Sequence, residues 1–151
     1  MKPAYRFFLL AAVSLWCLGI FIQWFIQFDG RIVYLLPEIH KIFSLVCHQQ
    51  QSKLIHFAGS CTTMTCARCT GIYIGSLAAS FFLFFRPQKQ APSLIYFLSA
   101  LILMASDVIL YSLNIYSYSI ELAFITGFLL GSIGFSYLCA ALNNLISELK
   151  D

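Results

Sequence analysis

The stretch "CTTMTCARCTGIYIG", Cys61–Gly75, decides how this chain is read, because three thiols and a cation run straight into apolar sequence. From Thr70 to Phe85 there are 16 residues without a charge. A helix that starts at Cys66 has 20 residues to Phe85 and is about 30 Å long at 1.5 Å per residue, the length needed to cross a bilayer. The "CARC" is therefore expected in the first turn of a spanning helix, at the membrane interface, with Thr65 as its N-cap. On that helix Cys66, Cys69 and Tyr73 share one face, and Gly71 and Gly75 lie largely on another. Small residues at that spacing let helix backbones approach closely in lipid.

Outward from this segment the chain looks the same. It has 151 residues, 60% hydrophobic and only 10% charged, whereas soluble domains are nearer a quarter charged. A core this small could not hide so much apolar surface from water. Phe7–Phe28 is a 22-residue run without a charge. It exceeds a signal-peptide core and no small-x-small cleavage site follows, so an uncleaved first span is expected. Leu94–Leu113 and Ile120–Leu142 are two further runs of spanning length. The predicted fold is an all-α membrane protein, one domain over 1–151, with four spans at about 7–28, 66–85, 94–113 and 120–142. Gly127 and Gly131, followed by Gly134, give the last span a packing surface like that of Gly71 and Gly75.

The long connection, 29–65, holds most of the polar chemistry. Pro37 can open a helix, and Ile39, Ile42, Phe43 and Val46 then recur at helical spacing, with Glu38, Lys41 and Ser44 on other faces. This pattern predicts an amphipathic helix, lying on the membrane or packed on the other spans. The basic residues are scattered, so the net charge of +3 is no nucleic-acid footprint; the expected partner is the lipid bilayer. The compact basic clusters, Lys2/Arg6 and Arg86/Lys89, fall on one side of a four-span layout. That places both termini in the cytoplasm and the Cys/His loop outside.

Six cysteines are present. Cys17 and Cys139 stand singly in apolar runs and read as small packing residues. Cys47, Cys61, Cys66 and Cys69 lie within 23 residues, beside His48 and His56. A CxxC at a helix start suits two chemistries. Its thiolates at i and i+3 can take two corners of a tetrahedral metal site, with Cys47 plus His48 or Cys61 completing it. Alternatively, the helix N-terminus and Arg68 can lower a thiol pKa for disulfide exchange. Cys47 and His48 diverge by about 100° on a continuing helix, so both reach one ion only if the helix ends there.

Asp107 stands well inside the third span, in "LILMASDVILYSL", where an ionisable group is costly and faces a partner or cavity. Arg68 at the start of span two and Glu121 at the start of span four fall in the same leaflet. The expected roles are an Arg68–Asp107 ion pair or support of the thiol site.

The segments "VCHQQQSK" and "CARCTGIYIG" resemble a family of small bacterial and archaeal integral membrane proteins of undefined function, marked by a CHQ followed by CxRCxGxYxG. The resemblance runs from about Leu45 to Gly131. It implies a core of Cys47, His48, Gln49, Cys66, Arg68, Cys69, Gly71, Tyr73 and Gly75. Lys53 stands where that family often has arginine, and Cys61 lies outside its motif. Three cysteines and a histidine resemble a metal set more than two disulfides.

The leading expectation is a membrane metal-binding protein with Cys47, His48, Cys66 and Cys69 as ligands and Cys61 as a substitute. Zinc is the expected ion, and copper(I) also suits thiolates. The alternatives are a membrane thiol–disulfide oxidoreductase working through Cys66 and Cys69 with a quinone as acceptor, laid out like four-span thiol oxidases, and a structural subunit stabilised by a zinc knuckle.

Overall fold

The computed structural model describes residues 3–26, 30–56, 62–86 and 92–148. The described chain is mostly helical. α1 (Pro3–Ile20) and the short α2 (Ile22–Ile26) are followed by a 3-10 turn (Gly30–Leu35), α3 (Leu36–Ser44) and a second 3-10 turn (Gln51–Lys53). A hairpin of β1 (Leu54–His56) and β2 (Thr62–Cys66) leads into α4 (Ala67–Phe85), α5 (Leu94–Ser112) and α6 (Ile120–Glu148).

Among the described residues three helices are long and apolar enough to cross a membrane: α4, α5 and Ile120–Leu145 of α6. α1 is a shorter apolar helix. The continuous 7–28 span expected from hydropathy is interrupted at Phe21, where the bonds tighten to Phe21 N–H to Leu18 O (3.2 Å) and Trp24 N–H to Phe21 O (2.9 Å). The interruption has a partner. Gln23 Oε1 accepts from both the backbone N–H (2.8 Å) and the hydroxyl (2.9 Å) of Thr62, so the polar residue inside the apolar run anchors β2.

α5 shows the solvent for which the surface is made. Its buried residues are Ala100 and Asp107, while Ile95, Leu98, Leu101, Ile102, Leu103 and Ile109 are exposed. A helix that buries its aspartate and exposes its leucines is wrong for water and right for hydrocarbon.

α4 and α6 lie in backbone contact and run parallel. A Cβ on Gly71 would stand 2.3 Å from Phe124 O, and one on Gly75 2.3 Å from Phe128 O. In return, a Cβ on Gly127 would stand 2.2 Å from Arg68 O, and one on Gly131 2.1 Å from Ile72 O. Each GxxxG thus seats the backbone of the other helix. Ser76 caps the arrangement, its hydroxyl within 3.3 Å of Gly131 O. Gly134 faces elsewhere: a Cβ there would stand 3.7 Å from the Phe97 ring of α5. α1 runs antiparallel to this pair: Cys17 Sγ donates to Tyr73 O (3.5 Å), and Arg6 lines a small cavity with Leu83, Cys139 and Asn143. The Tyr137 hydroxyl donates to Pro92 O, which brings the start of α5 against α6.

The all-helical expectation missed the hairpin. β1 and β2 are antiparallel, Leu54 opposite Cys66 and His56 opposite Thr62, with an irregularity between the two pairs. The strand carries threonines, which fit a pleated, half-buried surface. The strand also shifts the helix start: Cys66 is the N-cap and α4 begins at Ala67. Thr65 is consequently no cap. Its hydroxyl lies 2.9 Å from that of Thr70, the Thr70 hydroxyl reaches Thr65 O (3.2 Å), and Thr63 donates to the same carbonyl (2.8 Å). With Ile55 N–H donating to the Thr63 hydroxyl (3.1 Å), all three buried hydroxyls have protein partners. α6 is longer than expected, extending past Leu142 to Glu148.

Candidate metal centre

Three separate elements deliver the thiols. α3 is amphipathic, as its periodicity predicts, and buries Phe43 against Trp16, with ring centroids 5.0 Å apart, in a small core with Ile20 and Met64. Cys47 follows one turn later and keeps a helical bond, its N–H to Phe43 O (3.0 Å), so it inherits the buried face. Gln49 then takes a left-handed conformation, φ 49°, which is uncommon for a residue with a side chain. Its amide donates to Met64 O (3.0 Å), which ties the end of α3 to β2. Cys66 arrives at the end of β2 as the N-cap of α4, and Cys69 lies in the first turn of that helix.

The Sγ atoms of Cys47, Cys66 and Cys69 all lie within 4.8 Å of one another. All three thiols are free. The Cys66 N–H donates to Cys47 Sγ (3.2 Å). A tetrahedral ion with Zn–S bonds of about 2.3 Å requires sulfurs about 3.8 Å apart, a spacing that fits within this limit. Hydrogen bonds from the Cys66 and Cys69 thiols, and then from the Cys66 amide, hold the Cys47 thiol well below the ordinary thiol range, against the opposing effect of burial. The bond to Cys47 pushes the Cys66 thiol up. One thiolate is thus stabilised at the expense of its neighbours, as expected of like charges brought together. Three thiolates at this spacing need a cation among them.

Arg68 is not free to be that cation. Its Nη2 pairs with Asp107 Oδ2, and the Tyr116 hydroxyl donates to the other carboxylate oxygen. Asp107 is 8% exposed and the Arg68 side chain 18%. The bond to Asp107 holds the Tyr116 hydroxyl proton and raises its pKa. Lys53, whose role the family resemblance left open, places Nζ 4.6 Å from the Tyr111 ring centroid and 5.5 Å from that of Tyr118. Each is a cation–π distance.

Of the residues singled out from the sequence, Cys47, Cys66 and Cys69 are brought together, and Arg68 with Asp107 forms a pair next to them. His48 is exposed and stands outside the trio; Cys61 lies outside the described residues. Glu121 is exposed at the start of α6 and lines an apolar recess with Phe21, Ile55 and Thr70. Thr63 and Thr70 were not singled out beside the expected cap Thr65, and neither were Tyr116 and Tyr118. Their one sequence signal is "NIYSYS" (114–119), where closely spaced tyrosines with Asn114 at φ 55° mark an interfacial turn.

A bundle of apolar helices with a three-thiol cluster at one end defines the class: a helical membrane protein carrying a candidate metal centre. Residues 47–137 match the family model described as "Predicted membrane protein (DUF2085)", and the chain belongs to that family. It is also similar to the uncharacterized protein MJ1492 of Methanocaldococcus jannaschii, 33% identical over 96 residues, which cover 62% of this chain and 61% of that relative. No solved structure matches.

Proposed function

We propose that the chain is a membrane metal-binding protein in which Cys47, Cys66 and Cys69 hold zinc as thiolates. The observation that carries this reading is the mutual proximity of three free thiols within 4.8 Å, drawn from two sequence regions and backed by a hydrogen bond to one sulfur. Three mutually close thiols among the described residues suit a metal better than a dithiol pair. Sulfur ligands favour zinc, with copper(I) the competitor.

The test is elemental analysis of the purified protein together with a thiol count. About one equivalent of metal with reduced thiols supports the reading; metal-free protein with oxidised Cys66 and Cys69 replaces it with thiol–disulfide exchange.

In this reading α1 with α2 supplies a fourth crossing beside α4, α5 and α6, and the thiol end faces away from the cytoplasm. The antiparallel packing of α1 supports both points, since it gathers Arg6 and the ends of α4 and α6 at the opposite pole. Cysteines introduced at Lys53 and Gln88, in a background without other reactive thiols, test the orientation in intact cells. Labelling by an impermeant reagent at 53 alone is expected; labelling at 88 alone reverses it.

A further inference from the structure

The thiol site has three protein donors among the described residues, and zinc takes four. Among the described residues no fourth His, Cys or carboxylate joins Cys47, Cys66 and Cys69. Arg68 Nε and the Tyr118 hydroxyl are two of the three buried polar atoms that lack a hydrogen-bond partner among the described residues, the third being Trp16 Nε1 on α1. Arg68 sits between Cys66 and Cys69 in the chain, and its guanidinium is fixed at the far edge by Asp107. The Tyr118 ring is held from two sides, by Lys53 Nζ at 5.5 Å and by the Tyr111 ring edge-on at 5.5 Å. Lys53 immediately precedes Leu54, the strand partner of Cys66. This chain of contacts brings Tyr118 to the Cys66 end of the hairpin, where Cys66, Arg68 and Asp107 all act on it electrostatically. Buried donors without acceptors are rare in native proteins and call for an explanation.

We propose that the centre is an open one: its fourth position takes a small exogenous lone-pair ligand, water in the resting protein, that accepts hydrogen bonds from Tyr118 and Arg68. This rests on the metal reading above. Its consequence is chemical. A zinc ion closed by four protein ligands serves structure, whereas one with three and an exchangeable water can polarise that water or bind a substrate atom. Tyr118 and Arg68 would orient the bound atom through the hydroxyl and Nε–H, as outer partners do at other zinc sites.

X-ray absorption at the zinc edge of the full-length protein, purified with a phosphine reductant so that no added thiol competes, tests the coordination. Three sulfurs at about 2.3 Å and one oxygen at about 2.0–2.2 Å are expected, unchanged in Cys61→Ala and His48→Ala. Four sulfurs that fall to three in Cys61→Ala, or a nitrogen lost in His48→Ala, overturns the open site and leaves the metal reading standing. Absence of zinc from every variant removes the metal reading itself. In cobalt-loaded protein, azide is expected to shift the visible absorption. The Tyr118→Phe variant should weaken azide binding about tenfold, the loss of one hydrogen bond, at full cobalt content. Unchanged azide affinity in that variant takes Tyr118 out of the site.

Discussion

The first turn of α4 and the crossing one turn further along the same helix are built by opposite means. At the crossing, side chains are removed so that backbones touch: four glycines place α4 and α6 where no Cβ fits. At the first turn, side chains dominate and arrive from distant parts of the chain, Cys47 from the end of α3, Asp107 from α5 and Tyr116 from the α5–α6 connection. The crossing is shape and the first turn is chemistry. They share one residue, because the carbonyl of Arg68 is the surface that Gly127 rests on, while its guanidinium holds Asp107.

Breaking the crossing should have the largest effect. Gly131→Leu forces a branched side chain into backbone 2.1 Å from where its Cβ must sit. Overpacking a well-packed core costs about 1–3 kcal/mol, and a backbone wall yields less than side chains do, so a loss of at least about 3 kcal/mol is expected. Thermal unfolding in detergent should show little or no folded protein. A variant that melts normally would mean that the helices do not need this approach.

Next come the buried charges. Arg68→Gln or Asp107→Asn alone leaves an uncompensated charge in a poorly solvated place, at about 3–5 kcal/mol if fully buried; the partial exposure of Arg68 sets the lower end. The double variant should recover much of the loss in a double-mutant cycle. Metal content is expected to stay constant across the cycle. Metal loss in Asp107→Asn at near-normal stability would make the carboxylate part of the centre and blur the division between the two regions.

The thiols should separate the regions cleanly. Cys47→Ser is expected to reduce bound zinc below about a tenth of an equivalent, since a tetrahedral site loses one of its strong donors. With metal removed by chelation, the variant and the native chain should unfold within about 1 kcal/mol of each other, one hydrogen bond's worth. Equal zinc in both would exclude Cys47 as a ligand.

The smallest effect is electrostatic. Burial pushes the Tyr118 hydroxyl up to about 12, against about 10 in an unfolded chain. Its contribution to stability is therefore complete below pH 10 and is lost as pH rises from 10 toward 12. Alkaline unfolding should be shallower in Tyr118→Phe over that window; identical slopes would mean that the ring is solvated.

Much of this was legible in the sequence because lipid imposes simple rules. Long apolar runs with at most one or two charges define α4, α5 and α6, since unpaired backbone and charge are both costly in hydrocarbon. GxxxG at helical spacing marked the residues of the crossing, and CxxC at a helix start marked the thiols. The period of Ile39, Ile42, Phe43 and Val46 gave α3, but of the four only Phe43 is buried, while Ile42 and Val46 are exposed.

Other features depended on contacts between residues far apart in the chain. The sequence put Arg68 and Asp107 in one leaflet with an ion pair as one expected role, but whether they meet depends on how α5 and α4 each pack on α6, which no local pattern encodes. The hairpin is three residues paired with five, too short for a periodicity to register, and it exists because Gln23 and the threonine hydroxyls satisfy its backbone. That strand, in turn, moves Cys66 from the first turn of α4 to its cap and brings it onto Cys47. The residues able to do the chemistry were set by the sequence alone. Which of them meet, and that His48 stands apart while Tyr118 comes close, was decided by tertiary structure, because convergence of side chains depends on the packing of whole elements rather than on spacing along one of them.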